Sequence, residues 1–152
     1  MNIAIGADHG GVDLKHAIVS RLQGAGHKVQ DFGTNGGESV DYPDYSNQVA
    51  RGVVSGRYDR GILVCKSGVG MSMAVNRYRG IQGANVRSVA ETITTRQHND
   101  ANVLCLGAGL IESDEALAMV DAFLETEFEG GRHEARVIKA SGSRLAVTDP
   151  AL

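Results

Sequence analysis

The chain has 152 residues, a formal net charge of −3 and both signs of charge interspersed along its length, which suits one packed domain and excludes the clustered basic face that nucleic acid or an anionic membrane requires. No apolar run approaches the roughly 20 residues of a membrane span, and the opening MNIAIGADHG passes straight into a strand pattern rather than a charged leader. A cytoplasmic protein is expected, its partner a small molecule or a second copy of itself.

Short aliphatic runs alternate with longer amphipathic stretches, the pattern of strands joined by helical crossovers in a parallel sheet. NIAIGA is the first strand, and Val12, Leu14, Ile18, Val19 and Leu22 predict a helix over residues 11–23. GAGH ends that helix through its glycines, KVQDFG is a second strand, and Pro43 opens a helix running through Val49 and Val53. RGILVC, nearly all apolar, belongs in the sheet centre. MSMAVNRY then predicts a short helix, GIQGANV a fourth strand, SVAETITTRQHN a helix and NVLCLGA a fifth strand. SDEALAMVDAFLETEF is the clearest helix, with Ser113 as its cap and acidic residues in its first turn. Residues from about 130 to 152, carrying GGRHEARVIKA, form a docking arm or helix of the same single domain, 1–152. The loop TNGGESVDYPDY is the longest irregular stretch and a candidate binding loop.

Ligands of open parallel sheets sit beyond the carboxyl ends of the strands, near the point where strand order reverses. That edge receives Asp8 and His9 after strand one, Asp41 to Asp44 after strand two, Cys65 to Gly70 after strand three and the segment around Gly107 after strand five. Cys65 and Cys105 lack metal-ligand spacing, so free thiols are expected. Backbone N–H groups after the third strand favour a thiolate at Cys65, Lys66 can add to that, and Gly68 and Gly70 let the backbone approach an oxyanion closely. The plain alternative is a small core residue followed by a tight turn.

Three cysteine chemistries fit such a loop. A phosphatase of the tyrosine-specific kind needs an arginine six residues after its cysteine, and that place holds Met71. A phosphocysteine carrier is expected to hold its cysteine on the first strand rather than the third. Proton abstraction beside a carbonyl, with loop amides stabilising an enediolate, remains. Downstream, TTRQHNDAN gathers polar groups before a buried strand, where His98 alone could be a dipole-favoured cap.

Together GADHGG, DFGT, ESVDYPDY, GILVCKSGVGMSMAVN, RQHNDANVLCLGA and DAFLETEFEGGRHEARV resemble the ribose-5-phosphate isomerase B family, which includes the galactose-6-phosphate isomerase subunits. The resemblance leaves only the last dozen or so residues outside. It implies a Rossmann-like three-layer α/β sandwich with a five-stranded parallel sheet, a homodimer with shared sites, itself alone or within a tetramer, and metal-free, cofactor-free interconversion of an aldose phosphate and a ketose phosphate. It further implies Cys65 as the base between C1 and C2, Ser67 assisting at the oxygens, and the amides around Gly68 and Gly70 holding the enediolate. By the same resemblance His98 opens the sugar ring, Asp8 positions ring hydroxyls, Asn99 holds a hydroxyl, and His9, Arg132 and Arg136 bind phosphate. Arg132 and Arg136, four apart, are expected on one helical face, where the alternative is an ordinary solvated basic surface.

Three positions depart from the family habit. Lys66 stands where a glycine usually follows the cysteine, Gly109 stands where many members have an arginine, and Asn85 to Arg87 replaces a leucine-cysteine-histidine type of segment. Lys66 is expected to compensate in part for the arginine absent at 109, which leaves the length of the sugar open between four, five and six carbons. A non-catalytic sugar-phosphate binder is the reading from another class; retention of Cys65, Ser67 and His98 together speaks against it.

Overall fold

A computed structural model of the chain describes residues 1–141. The part of the C-terminal arm expected beyond Ser141 lies outside the described residues. The elements run β1 (Asn2–Ala7), α1 (Val12–Gly24), β2 (Lys28–Asp31), α2 (Tyr42–Val54), β3 (Arg60–Cys65), α3 (Val69–Val75), β4 (Gly83–Asn85), α4 (Val89–Asn99), β5 (Val103–Gly107), α5 (Ser113–Glu125), a 3-10 turn (Gly131–His133) and α6 (Glu134–Ala140). The sheet is wholly parallel with order β2-β1-β3-β5-β4. The α/β three-layer architecture is therefore the one expected.

Side chains on a strand alternate between faces, and residue parity sorts the core into two layers. Ile3, Ile5, Ile62, Val64, Leu104 and Leu106 meet α1 and α5 through Ile18, Leu22, Met119 and Phe123. Ala4, Leu63, Cys65, Val103 and Cys105 meet α2 and α3 through Val49, Ala50, Met71 and Val75. The second layer is thinner because small residues line it. A Cβ on Gly61 would fall 2.7 Å from a Val49 methyl, so α2 lies nearly on the sheet backbone.

Helix ends and strand lengths follow local hydrogen bonding. Helix α1 stops as its sequence predicts: Gly26 takes φ +84°, the His27 amide donates to Leu22 O at 3.0 Å and the Gly26 amide to Gln23 O at 3.0 Å, a Schellman closure. Ser113 is not the cap of α5; Glu112 holds that position with extended backbone, without a side-chain cap bond, and Ser113 is the first helical residue. That helix also ends at Glu125, short of the expected Phe128, because Thr126 is extended and its carbonyl accepts from Arg96 Nε at 3.1 Å. β4 is only three residues long: the Asn102 side chain bridges Gly80 O (2.7 Å) and the Gln82 amide (2.8 Å), holding residues 80–82 out of strand geometry.

The charge of Lys15 is fully inside. Lys15 is 0% exposed, and its ammonium donates to Asp31 Oδ2 at 2.6 Å and Asn35 Oδ1 at 2.7 Å, tying α1 to the loop that follows β2. The Asp31 side chain is 29% exposed, so water can still reach the carboxylate but not the ammonium. The two deletions should consequently differ. Asp31→Ala strands a buried cation and is expected to cost about 3 kcal/mol, whereas Lys15→Met leaves a carboxylate that water can solvate and costs about 1 kcal/mol. Urea unfolding of both variants checks the order; equal losses, or a larger loss for Lys15→Met, contradict it.

Candidate active site

Strand order reverses between β1 and β3: from β1 the sheet grows one way to β2, and from β3 the other way to β5 and β4. A crevice forms at such a switch point because the two chains leave in opposite directions. Asp8, His9 and Gly10 leave β1 here, and Lys66, Ser67 and Gly68 follow Cys65 at the end of β3. The expected residues of these two segments therefore share one edge.

Close backbone packing fixes the crevice walls. A Cβ at Gly11 would sit 2.6 Å from Val64 O, and one at Gly107 would sit 2.7 Å from Ser67 O. The Ala108 amide donates to Cys65 O at 2.8 Å and the Gly109 amide to Lys66 O at 2.9 Å, so the cysteine loop is seated on the end of β5. Asn85, one of the departures, donates Nδ2 to Ser67 O at 3.3 Å and braces the loop from β4.

The Cys65 side chain lies on the α2/α3 face, 5% exposed, and its sulfur accepts from the Gly68 amide at 3.1 Å. Gly68 has φ +76°, which turns that amide back toward the sulfur; a side chain there would also meet Asn85 Oδ1 and the Leu106 carbonyl carbon at 3.0 Å. Ser67 Oγ accepts from the Val69 amide at 3.3 Å. Asp8 is nearly buried and Oδ1 accepts from the Gly10 amide at 2.9 Å. His9 Nδ1 accepts from the Val40 amide at 3.2 Å, which places the proton of the neutral ring on Nε2 and ties the loop after β2 to this edge. Cys105 is the contrasting thiol. Complete burial, and then the neighbouring Cys65, push it far above the usual thiol range, so it is an inert core group.

The sequence did not single out Tyr42 in the candidate loop. Its ring covers Gly70, whose Cβ would lie 2.9 Å from Tyr42 Cζ. A large aromatic between Asp41 and Pro43, at the point where the loop gives way to a helix, was the available signal. Gly70 itself lies in the first turn of α3, where amides have no intrahelical acceptor.

The other expected residues gather elsewhere. His98 and Asn99 end α4, whose next strand, β5, starts at Val103; they lie at the amino edge of the sheet, whereas Cys65 lies at its carboxyl edge. A five-residue strand such as β5 spans roughly 16 Å. Buried Arg96 builds this second cluster, with Nη1 donating to Asp100 Oδ1 at 2.8 Å and Ala101 O at 2.7 Å while Asp100 takes φ +49°. The His98 and His133 rings stack, centroids 4.3 Å apart and planes within 9°. Glu129 Oε2 approaches both at 3.9 and 3.8 Å. Arg136 joins His98, Asn99, His133 and Gln82 around a cavity of about 350 Å³. Arg132 does not share a regular helix with Arg136. It lies in the 3-10 turn ahead of α6 and donates Nε to His133 Nε2 at 3.3 Å, so the expected single helical face is interrupted.

His98, Glu129 and His133 have the composition of a metal set. The stack speaks against one. Ring lone pairs lie in the ring planes, and one ion cannot occupy two nearly parallel planes at once. A second cavity, about 590 Å³, lies on the α1/α5 side among His9, Gly10, Asp13, Asn35 and Ala108, and Cys65 lines neither it nor the cavity beside His98.

The chain matches the family described as Ribose/Galactose Isomerase over residues 3–140. It is 45% identical over 135 residues to ribose-5-phosphate isomerase B of Escherichia coli K12, covering 89% of this chain and 91% of that one. Among solved structures, it is similar to ribose-5-phosphate isomerase B of Clostridium thermocellum, with a TM-score of 0.93, 46% identity and coverage of 97% and 100% of the two chains. It is also similar to the enzyme of Mycoplasma genitalium with bound ribulose-5-phosphate, with a TM-score of 0.87, 41% identity and coverage of 91% and 92%.

Two outcomes test this geometry. Gly107→Ala forces a methyl onto the Ser67 backbone and should lower kcat about 100-fold, as a displacement near 1 Å does; steady-state kinetics with an unchanged far-ultraviolet spectrum would show it, and full activity would contradict the seating of the loop. His133 is held below its ordinary imidazole value by burial first, then by His98, Arg132 and Arg136, with Glu129 opposing. The unfolded chain then binds this proton at higher pH than the folded one, so stability falls as pH drops through about 6.5 toward the lowered value. Urea midpoints measured between about pH 7.5 and 5 should decline less in His133→Gln; parallel curves for the two proteins would refute this.

Proposed function

Because the chain belongs to the ribose/galactose isomerase family, we propose that it interconverts ribose 5-phosphate and ribulose 5-phosphate, with Cys65 as the base. The observation that carries this reading is the Cys65 sulfur at the switch-point edge, turned toward the Gly68 amide with Asp8 and Ser67 on the segments around it.

The chemistry divides into two tasks. A pentose phosphate arrives chiefly as a cyclic hemiacetal, so a group that exchanges protons near neutrality must first open the ring, and imidazole is suited to it. His98 takes that role, with Asp8 positioning ring hydroxyls and Asn99 holding one of them. In the open chain the Cys65 thiolate removes the C2 hydrogen, the electron pair forms the C1–C2 double bond, and the carbonyl oxygen takes up negative charge. Amides of the Ser67–Gly70 loop hold that oxygen, with Ser67 assisting proton exchange between O1 and O2. Return of the proton from sulfur to C1 and loss of the O2 proton leave the ketose. His9, Arg132 and Arg136 bind the phosphate.

His98 and Cys65 lie at opposite sheet edges of one chain. A site using both therefore draws them from two copies, so the active form is a homodimer in which each site takes its cysteine from one protomer and its histidine from the partner.

Cys65→Ala is expected to abolish turnover of ribose 5-phosphate and deuterium uptake from heavy water at C1 or C2. His98→Asn should be equally inactive on the ring form. Denaturing the two variants together and refolding the mixture should restore activity, because a mixed dimer contains one intact site. No recovery from the mixture would overturn the shared site, and turnover indifferent to Cys65→Ala would overturn the base.

A further inference from the structure

We propose that Lys66 and Gly109 form one substrate-selecting unit, in which the lysine stem occupies the space a side chain at 109 would need and its ammonium grips the phosphate of the substrate. The proposal rests on the isomerase reading above.

Lys66 is threaded between two residues without side chains. A Cβ at Gly10 would lie 3.1 Å from the Lys66 amide nitrogen and 3.3 Å from its Cβ; a Cβ at Gly109 would lie 3.1 Å from Lys66 O, 3.2 Å from Cγ and 3.4 Å from Cε. The aliphatic stem is thus laid along β5's exit, while the Gly109 amide holds the Lys66 carbonyl at 2.9 Å. Resting on backbone, the chain has fewer directions open to it than a free surface lysine, and less entropy to lose when it meets an anion.

Its charge is also uncommitted. Lys15, Arg21 and Arg96 all pair with carboxylates, whereas among the described residues no carboxylate lies within ion-pair distance of Lys66. The residue is exposed at the switch-point edge, directly beside Cys65 in sequence and beside Gly10 in space. A dianionic phosphate at one end of a short sugar, whose other end must reach the Cys65 sulfur, is the ligand that such a cation suits.

Gly109 acts through the lysine. A methyl at 109 presses on the Lys66 carbonyl, Cγ and Cε, so the stem must give by a few tenths of an ångström and both substitutions should disturb the same contact. In wild type, Lys66→Met, Gly109→Ala and the double variant, KM and kcat for ribose 5-phosphate and inhibition by inorganic phosphate are measured at low and high ionic strength. Lys66→Met should raise KM and the phosphate inhibition constant about tenfold, as loss of one charge-assisted contact does, with a flatter salt dependence. Gly109→Ala should raise KM similarly, the double variant should be no worse than Lys66→Met, and Lys66→Arg should keep most of the affinity. An unchanged KM in Lys66→Met, or effects that multiply in the double variant, overturns the unit alone. Absence of wild-type turnover on sugar phosphates overturns the isomerase reading with it.

Discussion

The contact on which the site depends is the seating of the β3 exit on its neighbours. Three parallel strands end side by side, and the loop after the middle one must turn sharply while two backbones pass within van der Waals distance of it. Gly11 against Val64, and Gly107 against Ser67, are positions where any side chain would occupy space already held by a carbonyl. Backbone bonds from Ala108 and Gly109 then lock the loop to β5. The amide of Gly68 reaches the Cys65 sulfur only because this frame holds the left-handed turn beneath it. Sheet topology thus fixes the loop, and the loop fixes the chemistry available to the sulfur.

Two buried cations serve the polar segments in the same manner. Lys15 holds Asp31 and Asn35, and with the Val40 to His9 bond it keeps the loop after β2 against the β1 exit. Arg96 holds Asp100, Ala101 and Thr126, and its guanidinium lies 5.9 Å from the Phe123 ring centroid. In both cases the partners include groups from loops rather than regular elements. Such oxygens have no donor from the sheet or a helix, and one multi-donor cation satisfies several of them together. An apolar residue could fill the volume of Arg96 but would leave the Ala101 and Thr126 carbonyls without that donor, whereas Asp31, freed of Lys15, still meets water.

Much of this was readable in the residue order. Strands β1, β3 and β5 follow from alternating apolar runs whose parity also predicts the face of each side chain, and Cys65 is placed at the end of the central strand by that rule alone. The misreadings occur where distant side chains override local preference. Ser113 has the chemistry of a cap, yet Glu112 takes the extended conformation and the helix starts one residue early in the count. β4 loses half its expected length to the Asn102 side chain, and α5 loses its last turn to Arg96, both partners remote in sequence. Lys15 was hidden by its type, since a lysine inside an amphipathic helix reads as solvent-facing until Asp31 and Asn35 are brought to it. Tyr42 was hidden by its loop, where no periodicity marks what a ring will cover.

The placement of His98 carries the strongest consequence. A helix that returns from the carboxyl edge of a parallel sheet must deliver its own last residues to the amino edge, because the next strand starts there. His98 and Asn99, at the end of α4, cannot meet Cys65, at the end of β3, within the same copy of this topology. On the proposed reading these two residues therefore act across copies. Ring opening and proton transfer tolerate that division well, since they occur in sequence and on different atoms of the sugar. On the proposed reading, the His98–His133 stack and the buried Arg96 are scaffolding for a half-site that acts in a neighbour.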